Sequence, residues 1–215
     1  MPLPAITAEQ AQALYGQDDA AHAFDHVLRV TRLAVHIAAA EGADVHVVRT
    51  AGLLHDCARN EPDHHLAGAR QARALLAAEP QSFVDAVAHC IEAHRFSVAP
   101  HPQTLEARCL CDADRLDAIG AIGVARAFAF AGRQRSHLWS APLATLRPEI
   151  GADVAAYRRQ FGGAPAYTPG HEFICKLEGL AAELYTATAQ AIAAERARFM
   201  AEFFARLDAE ALGEV

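Results

Sequence analysis

Three short stretches of this sequence place groups where they are costly. In "GLLHDCARN", the pair His55-Asp56 ends an apolar run that contains Val47, Val48, Ala51, Leu53 and Leu54. In "DADRL", Asp114 follows another run of small and apolar residues, and in "HVLRV" His26 opens a third. An imidazole or carboxylate buried without a partner costs several kcal/mol, so such positions call for compensation. A divalent metal offers it. Imidazole nitrogen with carboxylate oxygen suits Mn, Fe, Ni, Zn or Mg better than a thiolate-seeking ion. Adjacent helical residues differ in direction by about 100°. His55 and Asp56 can therefore flank one ion from one helix while His26 and Asp114 approach from two others. Four protein ligands leave room for water and substrate, as a catalytic site requires.

Helices must position these groups, because the chain is rich in Ala and Leu and poor in alternating strand patterns. The spacing predicts a short helix opened by the capping-box stretch Thr7–Gln10, a longer one over about 22–41, and a third from about Asp44 to Ala58. "LAGARQARALLAA" and "SFVDAVAHCIEAHRF" read as two more. "TLEARCLCDADRLDAIGAIGVARAFAFAG" reads as one or two helices interrupted near Gly120, and a last helix is expected from about Glu172 to Leu207. The prediction is an all-α fold. Residues 133–171 break the pattern with Pro142, Pro148, Pro165, Pro169, Gly162-Gly163 and Trp139, the only tryptophan. A connection this long is functional or disordered, and its aromatic ends suggest a lid or pocket wall.

Composition removes several classes of function. The 215 residues suit one domain with a sizeable core, and 53% hydrophobic with 21% charged residues describe a globular chain. A formal net charge of −7 argues against nucleic-acid binding. The start "MPLPAITAEQ" lacks the features of a secretory signal, and no stretch approaches the roughly 18 apolar residues of a membrane span. Five cysteines without CxxC pairs read as free thiols in a reducing compartment, so the expectation is a cytoplasmic protein without membrane attachment. Of 19 basic residues only Lys176 is lysine, which marks it as a position needing a compact ammonium.

The order His26, His55-Asp56, Asp114 in these flanks resembles the HD-domain superfamily of metal-dependent phosphohydrolases. The resemblance extends from about residue 18 to 205 through "DDAAHAFDHVLRV", "AGLLHD", "IEAHRFS", "DADRLDAIGAIGVARAFAFAG" and the C-terminal "F..KL", and it is similar to one bacterial subgroup in particular. It implies a single HD-domain helical bundle around a metal centre, with a core of about 18–132 and 172–207 and residues 133–171 as a loop-rich insertion. His26, His55, Asp56 and Asp114 are then the ligands of one divalent ion, Mn2+ or Mg2+ first, with Fe, Ni, Co or Zn as alternatives. Asp114 is chosen over Asp112 and Asp117 because it fits the superfamily's Ala-Asp-Arg-Leu pattern; the other two would orient neighbours or pair with Arg115.

Around the ion, His22 and His94 are the expected catalytic partners of Asp56. His22 lies one helical turn before His26, and His94 matches a histidine of the subgroup. Lys176 matches the subgroup's "F..KL" lysine and would bind phosphate, although Glu172 stands where the family often has histidine and would repel a polyphosphate. Arg29, Arg59 and Arg95 are further phosphate candidates. The activity implied by the resemblance is hydrolysis of nucleoside triphosphates to monophosphate and pyrophosphate. The alternatives are a phosphomonoesterase, a phosphodiesterase, or a non-catalytic domain that senses a nucleotide or metal. The expected partner is thus a small phosphorylated molecule. The C-terminal helix with Phe199, Phe203 and Phe204 serves packing or a homodimer.

Overall fold

The structure, a computed structural model, describes residues 5–15, 24–95 and 98–215, and those residues form helices and connecting turns with no strand among them. No helix among the described residues is long and apolar enough to cross a membrane. The chain divides into two compact units, Met1–Asp117 with Tyr185–Ala189, and Ala118–Leu184 with Gln190–Val215.

The first unit is built on α2 (Phe24–Glu41), α3 (Val45–Leu54) and α6 (Leu105–Leu116), with α1 (Ala8–Gln12), α4 (His64–Leu75) and α5 (Gln81–Glu92) around them. In α2, Val27, Val30, Thr31, Ala34, Ile37 and Ala38 recur at helical spacing and are all buried, giving one apolar stripe. α3 is buried along most of its length, from Val47 and Val48 through Thr50 to Leu54, so it serves as the central helix and packs on α2, α5 and α6. Its start is fixed by Asp44, whose carboxylate accepts from the backbone N–H groups of His46 and Val47. Gly52 sits where α3 meets α2: a Cβ there would lie 2.9 Å from Thr31 Oγ1 and 3.1 Å from Thr31 Cα. Only glycine permits that approach.

α3 ends at Leu54, four residues before the predicted Ala58, and the chain continues as turns over 55–60. The reason is local. The His55 ring takes the Gly52 carbonyl at 2.8 Å, and side-chain competition for a terminal carbonyl weakens helix continuation. The last helix differs more. Instead of one helix from 172, the chain forms α10 (Pro169–Glu172), a π-turn over Phe173–Leu177, a 3-10 segment over Glu178–Glu183, and then α11 (Ala187–Leu212). The break at 184–186 is imposed from a distance. Buried Asp112 of α6 accepts from the N–H groups of Tyr185 (2.9 Å) and Thr186 (2.8 Å) and from Thr186 Oγ1 (2.7 Å).

The second unit holds α7 (Gly120–Arg133), α8 (Leu143–Ile150), α9 (Val154–Phe161), the 169–183 turns and the bulk of α11. Residues 133–171 are thus partly helical rather than a plain loop. They are fastened within this unit: Trp139 Nε1 donates to Asp208 Oδ1 and the Leu143 N–H donates to Oδ2, both at 2.8 Å. Arg147 grips Glu178 with two bonds of 2.8 Å, and Arg158 grips Glu172 at 2.9 and 3.0 Å. Phe173 stacks on buried Phe204 at 4.6 Å to centre the core.

Candidate metal centre

Three histidines of the first unit share one construction. His26 on α2 holds its Nδ1 2.8 Å from Asp117 Oδ2. His55 at the end of α3 has Nδ1 2.8 Å from the Gly52 carbonyl, and His94 after α5 has Nδ1 2.7 Å from the Ile91 carbonyl. Each carbonyl can only accept, so Nδ1 of His55 and His94 carries the proton and Nε2 presents a lone pair. All three Nε2 atoms converge on the carboxylates. His26 Nε2 is 3.4 Å from Asp114 Oδ1 and 3.8 Å from Asp56 Oδ2, and His55 Nε2 is 3.7 Å from Asp56 Oδ2. On the other side of Asp56, Oδ1 faces His94 Nε2 at 3.6 Å and His64 Nε2 at 3.5 Å.

These gaps of 3.4–3.8 Å are too long for good hydrogen bonds and lie at or slightly above the edges of a coordination shell. Donors about 2.1 Å from one ion sit roughly 3.0–3.5 Å apart. Ligand atoms of His26, His55 and Asp56 all lie within 4.8 Å of one another, and so do those of Asp56, His64 and His94. Burial sharpens the point: His55 is fully buried and Asp56 is 3% exposed, yet His55 Nε2 and Asp56 Oδ1 have no hydrogen-bond partner. Orphaned buried polar atoms of this kind are what a metal would satisfy. Of the four expected ligands, His26, His55 and Asp56 are therefore brought together, Asp114 lies beside His26, and the donor types fit a divalent ion.

The electrostatics follow from imidazoles and carboxylates crowded together under burial. For His26, burial alone would lower the pKa, but hydrogen bonds to Asp114 and Asp117 outweigh it and raise it to about 9. Burial lowers His55 and keeps it neutral, the form that ligates. Burial would raise Asp56 and Asp114, but the surrounding imidazoles hold both well below the usual carboxylate range. His94 is raised because the Asp56 carboxylate overcomes its burial, and His64 is pushed down by burial to about 4.

The remaining candidates sort by position. Arg59 Nη1 donates to Asp56 Oδ2, so its guanidinium already lies against the ligand set. Arg95 is half-buried at the end of the His94 turn, close enough for its charge to lower His64 and His65. Arg29 binds Asp117 through Nε (2.8 Å) and Nη2 (3.1 Å) and Asp25 through Nη1 (2.6 Å), so it braces the carboxylate that orients His26. Asp117 thus has the orienting role expected of it, toward His26. Asp112 instead caps the start of α11. Lys176 lies in the second unit, 3.9 Å from Glu172. His22 lies outside the described residues. His64 was not singled out by the sequence reading. A signal was present in the double histidine His64-His65 opening a helix just after the HD turn.

Residues 23–119 match the family described as HD domain. The chain is 31% identical over 209 residues to the uncharacterized protein YpgQ of Bacillus subtilis, covering 94% of this chain and 90% of that protein. The chain belongs to the HD-domain family. Solved structures of similar proteins agree in fold. A Lactobacillus plantarum protein has 32% identity, TM-score 0.69 and coverage of 96% and 95% of the two chains. YpgQ in complex with ADP has 30% identity, TM-score 0.70 and coverage of 95% and 97%. A protein called an HD-superfamily hydrolase from Bacillus thuringiensis has 26% identity, TM-score 0.71 and coverage of 94% and 93%.

Proposed function

We propose that this HD-domain protein is a metal-dependent phosphohydrolase acting on nucleotides, converting nucleoside triphosphates to monophosphate and pyrophosphate. The observation that carries the hydrolase reading is the convergence of the His26, His55 and Asp56 ligand atoms, with Asp114 Oδ1 3.4 Å from His26 Nε2, where buried His55 Nε2 and Asp56 Oδ1 make no hydrogen bond. The nucleotide reading rests on the ADP held by the relative YpgQ. His26, His55, Asp56 and Asp114 hold one divalent ion, with Mn2+ or Mg2+ as the first expectation. When bound, such an ion supplies positive charge and Lewis acidity at the reacting phosphoryl group.

The chain's own groups supply the rest. His94, with Nδ1–H fixed on Ile91, turns Nε2 toward Asp56 and can accept or return a proton there. His64, pushed down to about 4, is neutral at pH 7 and is a second acceptor on the same side. Arg95 and Arg59 border this side and are the phosphate ligands within the first unit. Lys176, the phosphate candidate that the subgroup resemblance supplies, lies 3.9 Å from Glu172 within the second unit.

The test is release of phosphate and pyrophosphate from a nucleotide panel by metal-stripped protein with added Mn2+, beside Asp56→Ala. Pyrophosphate released from triphosphates by the wild type alone supports the proposal. Orthophosphate released only from monophosphates would make the protein a phosphomonoesterase. Metal-dependent binding of nucleotides without turnover would make it a sensor.

A further inference from the structure

The end of α3 aims two of the expected ligands, and its geometry is set partly from outside the helix. In a continuing α-helix the Asp56 N–H would bond the Gly52 carbonyl, and the Cys57 N–H would bond the Leu53 carbonyl. Both acceptors carry side-chain donors instead. The His55 ring takes the Gly52 carbonyl at 2.8 Å, and the Tyr15 hydroxyl donates to the Leu53 carbonyl at 2.9 Å. The Cys57 N–H closes a tighter turn on the Leu54 carbonyl at 3.1 Å. Consecutive carbonyls at the end of α3 are thus satisfied by a ring, a phenol and a short turn, and His55 and Asp56 sit in the turn that results.

Of these partners only Tyr15 is distant in sequence, 38 residues before Leu53. Several contacts hold it in place. α1 opens with a reciprocal Thr7–Gln10 capping box, buries Ala11 and packs on α3. Arg49 of α3 donates to the Ile6 carbonyl at 3.0 Å and fastens the segment before α1. After α1, the N–H groups of Leu14 and Tyr15 bond the carbonyls of Ala11 (2.9 Å) and Gln12 (3.1 Å) in successive turns. The Tyr15 ring meets Phe24 at the start of α2, with ring centres 5.3 Å apart, two residues before His26. Burial pushes the phenol pKa well above its usual range, against an opposing hydrogen bond from the Asp56 N–H, so the hydroxyl stays protonated and donates.

We propose that Tyr15 is a positioning residue of the metal centre, whose hydroxyl stops α3 short of His55 and so holds His55 and Asp56 toward the ion. Without that donor the Leu53 carbonyl, on a residue 1% exposed, is left to take the Cys57 N–H. α3 then winds onward, and Asp56 turns out of its present direction, because each helical residue advances by about 100°. The inference rests on the metal reading of the site and not on which phosphate bond is cleaved.

The test is Tyr15→Phe in the full chain, which keeps the ring and its contact with Phe24 and removes only the donor. Mn2+ binding to metal-stripped protein is read by chelator competition, and ligand geometry by the visible spectrum of the Co2+ form. Mn2+ affinity should fall about tenfold, the low end of the loss expected for an outer partner of metal ligands, and the Co2+ bands should shift. Helicity by circular dichroism should be unchanged. Ile37→Val, a mild loss in the buried stripe of α2 about three turns from His26, should change neither affinity nor spectrum. p-Aminophenylalanine at position 15 restores a donor on the ring and should recover most of the affinity. A wild type that binds no Mn2+ would overturn the metal reading and this inference with it. Wild-type binding with Tyr15→Phe within twofold, an unchanged Co2+ spectrum, no recovery by the amino analogue, or an equal shift in Ile37→Val would overturn the inference alone.

Discussion

Replacing Asp117 with Asn tests whether the metal site depends on how His26 is held. The Asp117 carboxylate is 2% exposed, sits 2.8 Å from His26 Nδ1, and is braced by two bonds from Arg29. It fixes the His26 ring so that Nε2, and not Nδ1, faces Asp56 and Asp114, and its charge makes that nitrogen a better ligand. Asparagine keeps the shape and an accepting oxygen but loses the charge. Removing such an orienting partner typically costs 10–100-fold in metal affinity, or about 1.4–2.7 kcal/mol. Asparagine is expected near the low end and alanine, which also removes the orientation, near the high end. The assay is competition of metal-stripped protein with a chelator for Mn2+, together with the visible spectrum of the Co2+ form. Mn2+ affinity within twofold of wild type, with an unchanged Co2+ spectrum, would refute the reasoning.

Three further outcomes are expected. In metal-free protein, His26 has a folded pKa raised to about 9 from an unfolded value near 6.5, so its stabilisation is full below 6.5 and lost as pH rises through 9. Urea unfolding at pH 6 and pH 9.5 should differ by about 3 kcal/mol in that direction, and Mn2+ should bind more tightly across the same interval because the ligating His26 must lose its proton. Asp112→Ala should cost about 2–4 kcal/mol in urea unfolding, since it strips a buried acceptor from the N–H groups of Tyr185 and Thr186 and from Thr186 Oγ1. Gly52→Ala should lower stability by about 1–3 kcal/mol, because its Cβ would meet Thr31 at 2.9–3.1 Å; an unchanged melting temperature would contradict the close helix approach.

How much of this was legible in the sequence depended on the range of the interactions. The helical repeats in α2 and α5 and the break near Gly120 were readable, because apolar spacing and glycine act locally. Gly120 has φ +77°, a left-handed conformation that favours glycine. The stop of α3 at Leu54 was missed because a histidine ring, not a glycine or proline, takes the terminal carbonyl. The start of α11 was misplaced by some fifteen residues because its determinant, Asp112, lies in another helix and no local breaker marks 184–186. At the site, the order of His26, His55, Asp56 and Asp114 was readable from its resemblance to a family pattern. The three Nδ1 anchors were not: Asp117 reaches His26 across 91 residues of sequence. His64 escaped although the double histidine His64-His65 marks a helix start after the HD turn, because its partner, Asp56, becomes visible only in the fold.

The most direct test of the account is the anomalous scattering of manganese in crystals of this protein grown with Mn2+. The account predicts a peak about 2.0–2.2 Å from His26 Nε2, His55 Nε2 and carboxylate oxygens of Asp56 and Asp114. No peak at saturating Mn2+, or one held only by Asp56, His64 and His94, would contradict it.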